Sequence, residues 1–185
     1  MGRKNSGKPF EYEMSMSLRK FSETHMGAWW IRYPDYQDFA KTGYRAPRAP
    51  ADFISLYRGT FYAIECKSTR SPTSFAMRYF KPHQKESLLA IKEAGGEAYV
   101  AINQRRRPFK CWFIDISDYL LVEDKYLSTG RKSIPFVGGI DRVGFSVRRL
   151  NVKTHGMAKA KKGWNLGPLF ERRESLESYR NTPPE

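Results

Sequence analysis

Two carboxylates, Asp52 and Glu65, face each other at the open end of a stretch that reads as a tight β-hairpin, and this pairing constrains the fold more than any other feature. The segment Pro-Ala-Asp-Phe-Ile-Ser-Leu-Tyr-Arg-Gly-Thr-Phe-Tyr-Ala-Ile-Glu-Cys-Lys (50–67) holds two apolar strands folded around Arg58-Gly59. With a two-residue turn, Tyr57 pairs with Thr60, and that register sets Asp52 directly opposite Glu65. Carboxylates on one sheet face with Cβ atoms roughly 5 Å apart repel unless a positive charge lies between them. A divalent cation suits the gap, because Mg²⁺ is held by one or two carboxylates and keeps positions for phosphate and water. Strand alternation puts Lys67 on the face of Glu65 and turns Cys66 away.

The partner class follows from charge. The chain has 185 residues, with 33 Lys+Arg against 19 Asp+Glu, a formal excess of +14. That excess selects polyanionic partners, with nucleic acid ahead of an anionic membrane. No apolar run approaches the roughly 18–20 residues of a spanning helix, and the polar, basic N-terminus lacks a signal-peptide core. A cytoplasmic or nucleoid-associated protein with no membrane partner is expected. Hydrophobic residues make up 40% of the chain and aromatics 15%, which excludes wholesale disorder. His25, His83 and His155 are scattered, Cys66 and Cys111 are far apart in apolar runs, and no zinc spacing or Walker-type glycine loop is present.

Three parts are expected along the chain: a basic arm (1–8), one α/β domain (9–152) and a basic tail or extension (153–185). A helix over 9–26 brings Phe10, Met14, Leu18 and Phe21 into about an 80° sector at about 100° per residue. Glu11 borders this stripe, and Glu13 points well away from it. Ala28–Tyr33 suits a strand, and 34–50 a long loop. Pro82 opens a second helix with Gln84, Leu88 and Ile91 inward, ending at Gly95-Gly96. Strands follow over 97–103 and 109–116, then a short helix near 118–121 and a peripheral strand or two within 131–152. The order α-β-β-β-α-β-β describes a mixed sheet flanked by helices.

Glu-x-Lys on a strand is common on solvated sheet faces. Here it lies in a hairpin apolar on both faces, opposite an aspartate, in a chain whose charge selects phosphate. Gln84 is informative because an amide turned inward needs partners, either in a neighbouring loop or at a site. Thr69, Arg70, Thr73, Ser74, Phe75, Arg78, Tyr79 and Lys81 mix hydroxyls, cations and rings directly after Lys67. Such a mixture suits phosphate contacts and base stacking, or else a solvated loop with its rings in the core. His83 and Arg105-Arg106-Arg107 add charge near the same strands. Trp29 and Trp30 read as core or dimer contacts.

Asp52, Glu65, Lys67 and the helical Glu11 resemble the motif of the PD-(D/E)xK nuclease superfamily. The run 52–67, together with Thr-Ser-Phe (73–75) and Phe-Lys-Pro-His-Gln (80–84), is similar to RecU-type Holliday-junction resolvases; a Gly-x-x-x-Glu from Gly7 to Glu11 adds a weaker likeness. RecU-type proteins carry a long stalk before the aspartate, where this chain has only the loop 34–50, and that compact layout looks more like the archaeal Hjc type. The resemblance implies a restriction-endonuclease-like core and a homodimeric, Mg²⁺-dependent endonuclease that nicks four-way DNA junctions symmetrically, leaving 5′-phosphates, with Mn²⁺ as a substitute ion. It implies Asp52, Glu65 and the Cys66 carbonyl as ligands, with Glu11 acting through water or a second ion. Lys67 would orient water or neutralise developing charge, and Gln84 would line the site. The alternatives are a duplex, flap, restriction-type or repair nuclease on the same core, and a non-catalytic basic DNA-binding module.

Overall fold

A computed structural model of the chain describes residues 8–34 and 49–171. The first helix, α1 (Lys8–Thr24), buries Phe10, Met14, Leu18 and Phe21 along one stripe. Strands β1 (Trp29–Arg32), β2 (Phe53–Tyr57) and β3 (Thr60–Thr69) then build one side of a sheet, and β1 pairs antiparallel with β2. The β2–β3 turn has φ of 48° at Arg58 and 75° at Gly59. A two-residue turn needs positive φ at both centres to match strand twist, which glycine tolerates freely. The register runs from Tyr57↔Thr60 to Phe53↔Ile64, as the sequence predicts, and one step further sets Asp52 beside Glu65.

Beyond β3 come a short β4 (Ser74–Ala76), a single 3₁₀ turn and α2 (Pro82–Glu93), which crosses over to β5 (Glu97–Gln104). β3 and β5 are parallel; β6 (Cys111–Asp115) returns antiparallel. α3 (Ile116–Ser128), β7 (Ser133–Pro135), β8 (Phe145–Val147), β9 (Arg149–Val152) and β10 (Lys161–Trp164) complete the fold. The main sheet has the order β1-β2-β3-β5-β6-β8, with small pairs β4–β7 and β9–β10 beside it. This is the expected mixed sheet between helical layers. α1 covers the face carrying Phe53, Ile64, Cys66, Ala101 and Phe113, and α2 and α3 cover the face carrying Ala63, Val100, Ile102 and Ile114. No helix among the described residues is long and apolar enough to cross a membrane.

Two expectations are corrected and one is extended. The short helix at 118–121 is the first part of a thirteen-residue helix, capped by Asp115, whose side chain accepts the Ser117 N–H. Glu13 points away from the Phe10 stripe, yet that side of α1 is covered too. β9 and β10 fold over that side of α1, Glu13 is buried, and it accepts from Trp164 Nε1 at 3.1 Å and from Arg149. Packing also continues past the expected boundary at 152, since Trp164, Leu166, Leu169 and Phe170 all enter the core under α1. The expected arm over 1–8, apart from Lys8 at the start of α1, residues 35–48 of the loop expected over 34–50, and residues 172–185 of the expected tail lie outside the described residues.

Phe170 stacks on Phe21 at 4.3 Å and meets Tyr62 edge-on at 4.8 Å. Truncating a buried aromatic removes its burial and leaves a cavity. Phe170→Ala is therefore expected to cost about 3–5 kcal/mol in urea unfolding. A change within about 0.5 kcal/mol, the size of a typical exposed substitution, would return Phe170 to a solvated tail.

Candidate active site

The site forms where β2 stops and β3 continues. Asp52 precedes the first residue of β2 and is fixed there by its own backbone, whose carbonyl accepts the Tyr33 N–H at 3.0 Å. Its Oδ2 accepts the Cys66 N–H at 2.7 Å. β3 has no β2 partner at this point, so the aspartate side chain takes over the hydrogen bond that a longer strand would supply. N–H and C=O of one strand residue leave on the same side, so the Cys66 carbonyl also points towards Asp52. The Cys66 side chain turns into the α1 core, where burial pushes its thiol up and leaves it inert.

Glu65 and Lys67 project from the opposite face of β3. Glu65 is 2% exposed, which makes its ionisation a question of partners. Its Oε1 accepts from Lys67 Nζ at 2.6 Å and from Gln84 Nε2 at 2.5 Å. Lys67 Nζ also donates to Gln84 Oε1 at 2.9 Å and lies 5.6 Å from the centroid of Phe80. Gln84 Oε1 accepts the Lys81 N–H at 3.1 Å as well, so one amide caps α2 and ties the helix to the site.

Burial raises the Asp52 carboxyl well above its usual range, and the charge on Glu65 raises it further; the Cys66 N–H and Lys67 pull the other way. Burial likewise raises Glu65, against the opposing pull of Lys67. Glu11 pushes both upward through space, which places the first turn of α1 at this site, and it forms an ion pair with Arg32 at 2.8 Å. Two buried carboxylates that resist ionisation, with a backbone carbonyl on the Asp52 side, are a donor set that a hard divalent cation satisfies. No group of three His, Cys, Asp or Glu side chains among the described residues is placed to hold a metal. The fit therefore rests on two carboxylates and the carbonyl.

The segment after β3 divides. Phe75 is fully buried and Thr69 nearly so, with the Thr69 hydroxyl accepting the Ser71 N–H. Their expected contact with DNA is corrected: β4 pairs with β7 and carries Phe75 into the core under α3. Arg70, Thr73, Arg78, Lys81, His83, Arg106 and Arg107 are exposed, and Ser74 and Arg105 are half-buried. Arg78 lies over the Tyr79 ring at 5.3 Å. Trp29 is 54% exposed, so it is not a core residue. Sequence reasoning missed Arg32, which lies one register step from Asp52 across β1–β2, and Phe80 as the ring beneath Lys67.

A carboxyl raised in the folded state binds protons more tightly than in the unfolded chain. The stability it contributes is complete below the ordinary values of 3.8 and 4.5 and is lost as pH rises through the higher folded values. With a chelator present, the thermal midpoint should therefore fall from about pH 5 upward. Asp52→Asn keeps an acceptor for the Cys66 N–H and should flatten that fall, melting above wild type at pH 8. A divalent cation should raise only the wild-type midpoint. Equal midpoints for both proteins at pH 8 in chelator would refute the repulsion.

A family model described as "Recombination protein U" (RecU) matches residues 15–151, well over half of the chain. Among curated proteins, the Holliday junction resolvase RecU of Bacillus pumilus is 30% identical over 94 residues, covering 51% of this chain and 44% of that protein. The Holliday junction resolvase RecU of Bacillus subtilis is 28% identical over 94 residues, with the same coverage of 51% and 44%. The chain thus spans about half the length of the curated relatives it matches. A solved structure of Archaeoglobus fulgidus Hjc, a Holliday junction resolvase from an archaeal hyperthermophile, matches at 21% identity with a TM-score of 0.40, covering 62% of this chain and 75% of that one. That superposition is too loose to carry an assignment. The family model carries it instead, and the chain belongs to the RecU family.

Proposed function

We propose that the chain is a metal-dependent DNA endonuclease that resolves four-way junctions. The observation that carries this reading is the buried Asp52/Glu65 pair, with Lys67 and Gln84 both bonded to Glu65, in a chain of +14 net charge. Membership of RecU, a family whose curated members are named as Holliday junction resolvases, selects the branched substrate.

Asp52, Glu65 and the Cys66 carbonyl would hold Mg²⁺, with Mn²⁺ able to replace it. When bound, the ion supplies a Lewis acid for the scissile phosphate and for water. The other steps belong to the chain. The Cys66 N–H fixes the Asp52 carboxylate, and Gln84 and Lys67 fix Glu65, so the donors are positioned before substrate arrives. Lys67 has three N–H donors, two of them directed to Glu65 and Gln84, and the third is left for the phosphate. It acts as a fixed positive charge for the developing phosphorane, held in position by the Glu65 carboxylate at 2.6 Å. Glu11 is held back by Arg32, and it contributes through water or to a second ion. Exposed Arg70, Thr73, Arg78, Lys81, His83, Arg106 and Arg107, with half-buried Ser74 and Arg105, supply phosphate contacts around it. Two symmetric nicks require two sites related by a two-fold axis, hence a homodimer.

Asp52→Asn and Lys67→Ala are each expected to slow cutting of a synthetic junction by about 10²-fold or more, with junction binding preserved. Wild-type rates from either variant in Mg²⁺ would sink the assignment. Junction, flap, duplex and single-stranded substrates tested side by side identify the DNA. Paired nicks confined to the junction are expected, and equal cutting of plain duplex would overturn the junction reading while leaving the nuclease one.

A further inference from the structure

The Phe80 ring beneath Lys67 leads to another buried carboxylate, Glu123 of α3, which is 6% exposed. Its Oε2 accepts from Lys85 Nζ at 2.5 Å, and its Oε1 accepts from the Tyr119 hydroxyl at 3.1 Å. Tyr119 is fully buried, and burial together with the Glu123 charge pushes its hydroxyl up, so it stays a neutral donor. Lys85 directly follows Gln84 in the first turn of α2, where the N–H groups of both residues donate to the Lys81 carbonyl. One ring joins this cluster to the site. Lys85 Nζ lies 5.7 Å from the Phe80 centroid and Lys67 Nζ 5.6 Å from it, while Tyr119 meets Phe80 at 5.0 Å and a steep angle. The two ammoniums have separate carboxylates, Glu65 for Lys67 and Glu123 for Lys85.

Holding α2 against α3 does not require this ion pair. Leu88 of α2 belongs with Ile116 and Tyr119 of α3 to one apolar cluster, and apolar groups in place of a buried ion pair are often as stable or more so. What the charges add is direction, since apolar contacts leave a helix free to rotate and slide. Gln84 needs that direction. Its Nε2 donates to Glu65 and its Oε1 accepts from Lys67, so both ends of the amide must be placed at once. Residues 84 and 85 project about 100° apart around α2, and a fixed Lys85 therefore fixes the rotation at which Gln84 enters the site. We propose that Glu123 is a positioning residue for the active site: by holding Lys85 and Tyr119 it sets the rotation of the first turn of α2, and with it the Gln84 amide that bridges Glu65 and Lys67. The inference deepens the functional reading and rests on it for the reaction affected.

The test removes the ion pair in two ways and follows single-turnover cutting of a four-way junction at saturating Mg²⁺. Glu123→Gln keeps the shape and an acceptor for Tyr119 but loses the charge that holds Lys85. Lys85→Met, Tyr119→Phe and Glu123→Leu combined replace the whole cluster by apolar groups of similar size. The triple variant should melt at or above wild type. Both proteins should cut about 10- to 100-fold more slowly, with junction affinity in EDTA within about twofold of wild type. An ion pair that only docks the helices predicts wild-type cutting by the stable triple variant, and that result would overturn the proposal. In a Gln84→Ala background, Glu123→Gln should slow cutting by no more than about twofold further. The full factor in that background would mean that Glu123 acts without Gln84 and would equally overturn it. Should the triple variant fail to fold, this cycle decides. If the wild type cuts no DNA in Mg²⁺ or Mn²⁺, the functional reading fails separately. The NMR signal of the Gln84 side-chain amide, assigned by its loss in Gln84→Ala, then decides: it should move in Glu123→Gln, and an unmoved signal would overturn the positioning role.

Discussion

The repulsion between Asp52 and Glu65 is the constraint around which the rest of the site is arranged. Burial deprives both carboxylates of water, and the charge on Glu65 raises the proton affinity of Asp52 further. Such a pair survives in a folded chain only if its surroundings compensate. Two compensating groups come from β3, the Cys66 N–H and the Lys67 ammonium, and a third, the Gln84 amide, comes from the first turn of α2. None of them neutralises the pair fully. A site left short of positive charge in this way is poised to take up a cation, and its geometry does not have to form when the cation arrives.

Much of this was legible in the sequence because a two-residue hairpin leaves no freedom. Once Arg58-Gly59 is the turn, every pairing from Tyr57 to Asp52 is fixed, and alternation fixes which side chains share the face of Lys67. Gln84 was legible as an inward polar residue on an otherwise apolar stripe. Arg32 was not. The register of β1 on β2 sets Arg32 against Phe53, but the long connection between these strands leaves that register unspecified by any local rule. The burial of Glu13 was not legible for a related reason: helical periodicity describes one buried stripe, and the second is created by β9 and β10 from more than a hundred residues away. Phe75 and Thr69 were misread because a mixture of hydroxyls, cations and rings looks alike on a loop and on a strand that enters the core.

Glu11 and Glu13 show how one helix turn can carry two unrelated carboxylates. Glu11 lies near Asp52 and Glu65 and pairs with Arg32 from β1. Two residues later the backbone has rotated by about 200°, and Glu13 meets Arg149 and Trp164 on the opposite flank. A shift of α1 that improves one set of contacts strains the other. The helix is thereby clamped in rotation by ion pairs on two sides, which a hydrophobic stripe alone would not achieve, because apolar contacts have no preferred direction.

The same reasoning connects the two ends of β3. Between Asp52/Glu65 and Arg70/Arg105 the strand runs only a few residues, yet the local field changes sign. A nucleic-acid strand is a line of fixed negative charges, and hydrolysis at one of them requires that the others be held still. Positive charge spread evenly over the surface would attract DNA without fixing its register, and it would also screen the carboxylates from the cation they need. Basic residues set past the strand end, such as exposed Arg70, leave the Asp52/Glu65 pair electronegative. The chain's excess of basic residues is then less informative than the way Asp52 is held, its carboxylate accepting a neutral backbone N–H.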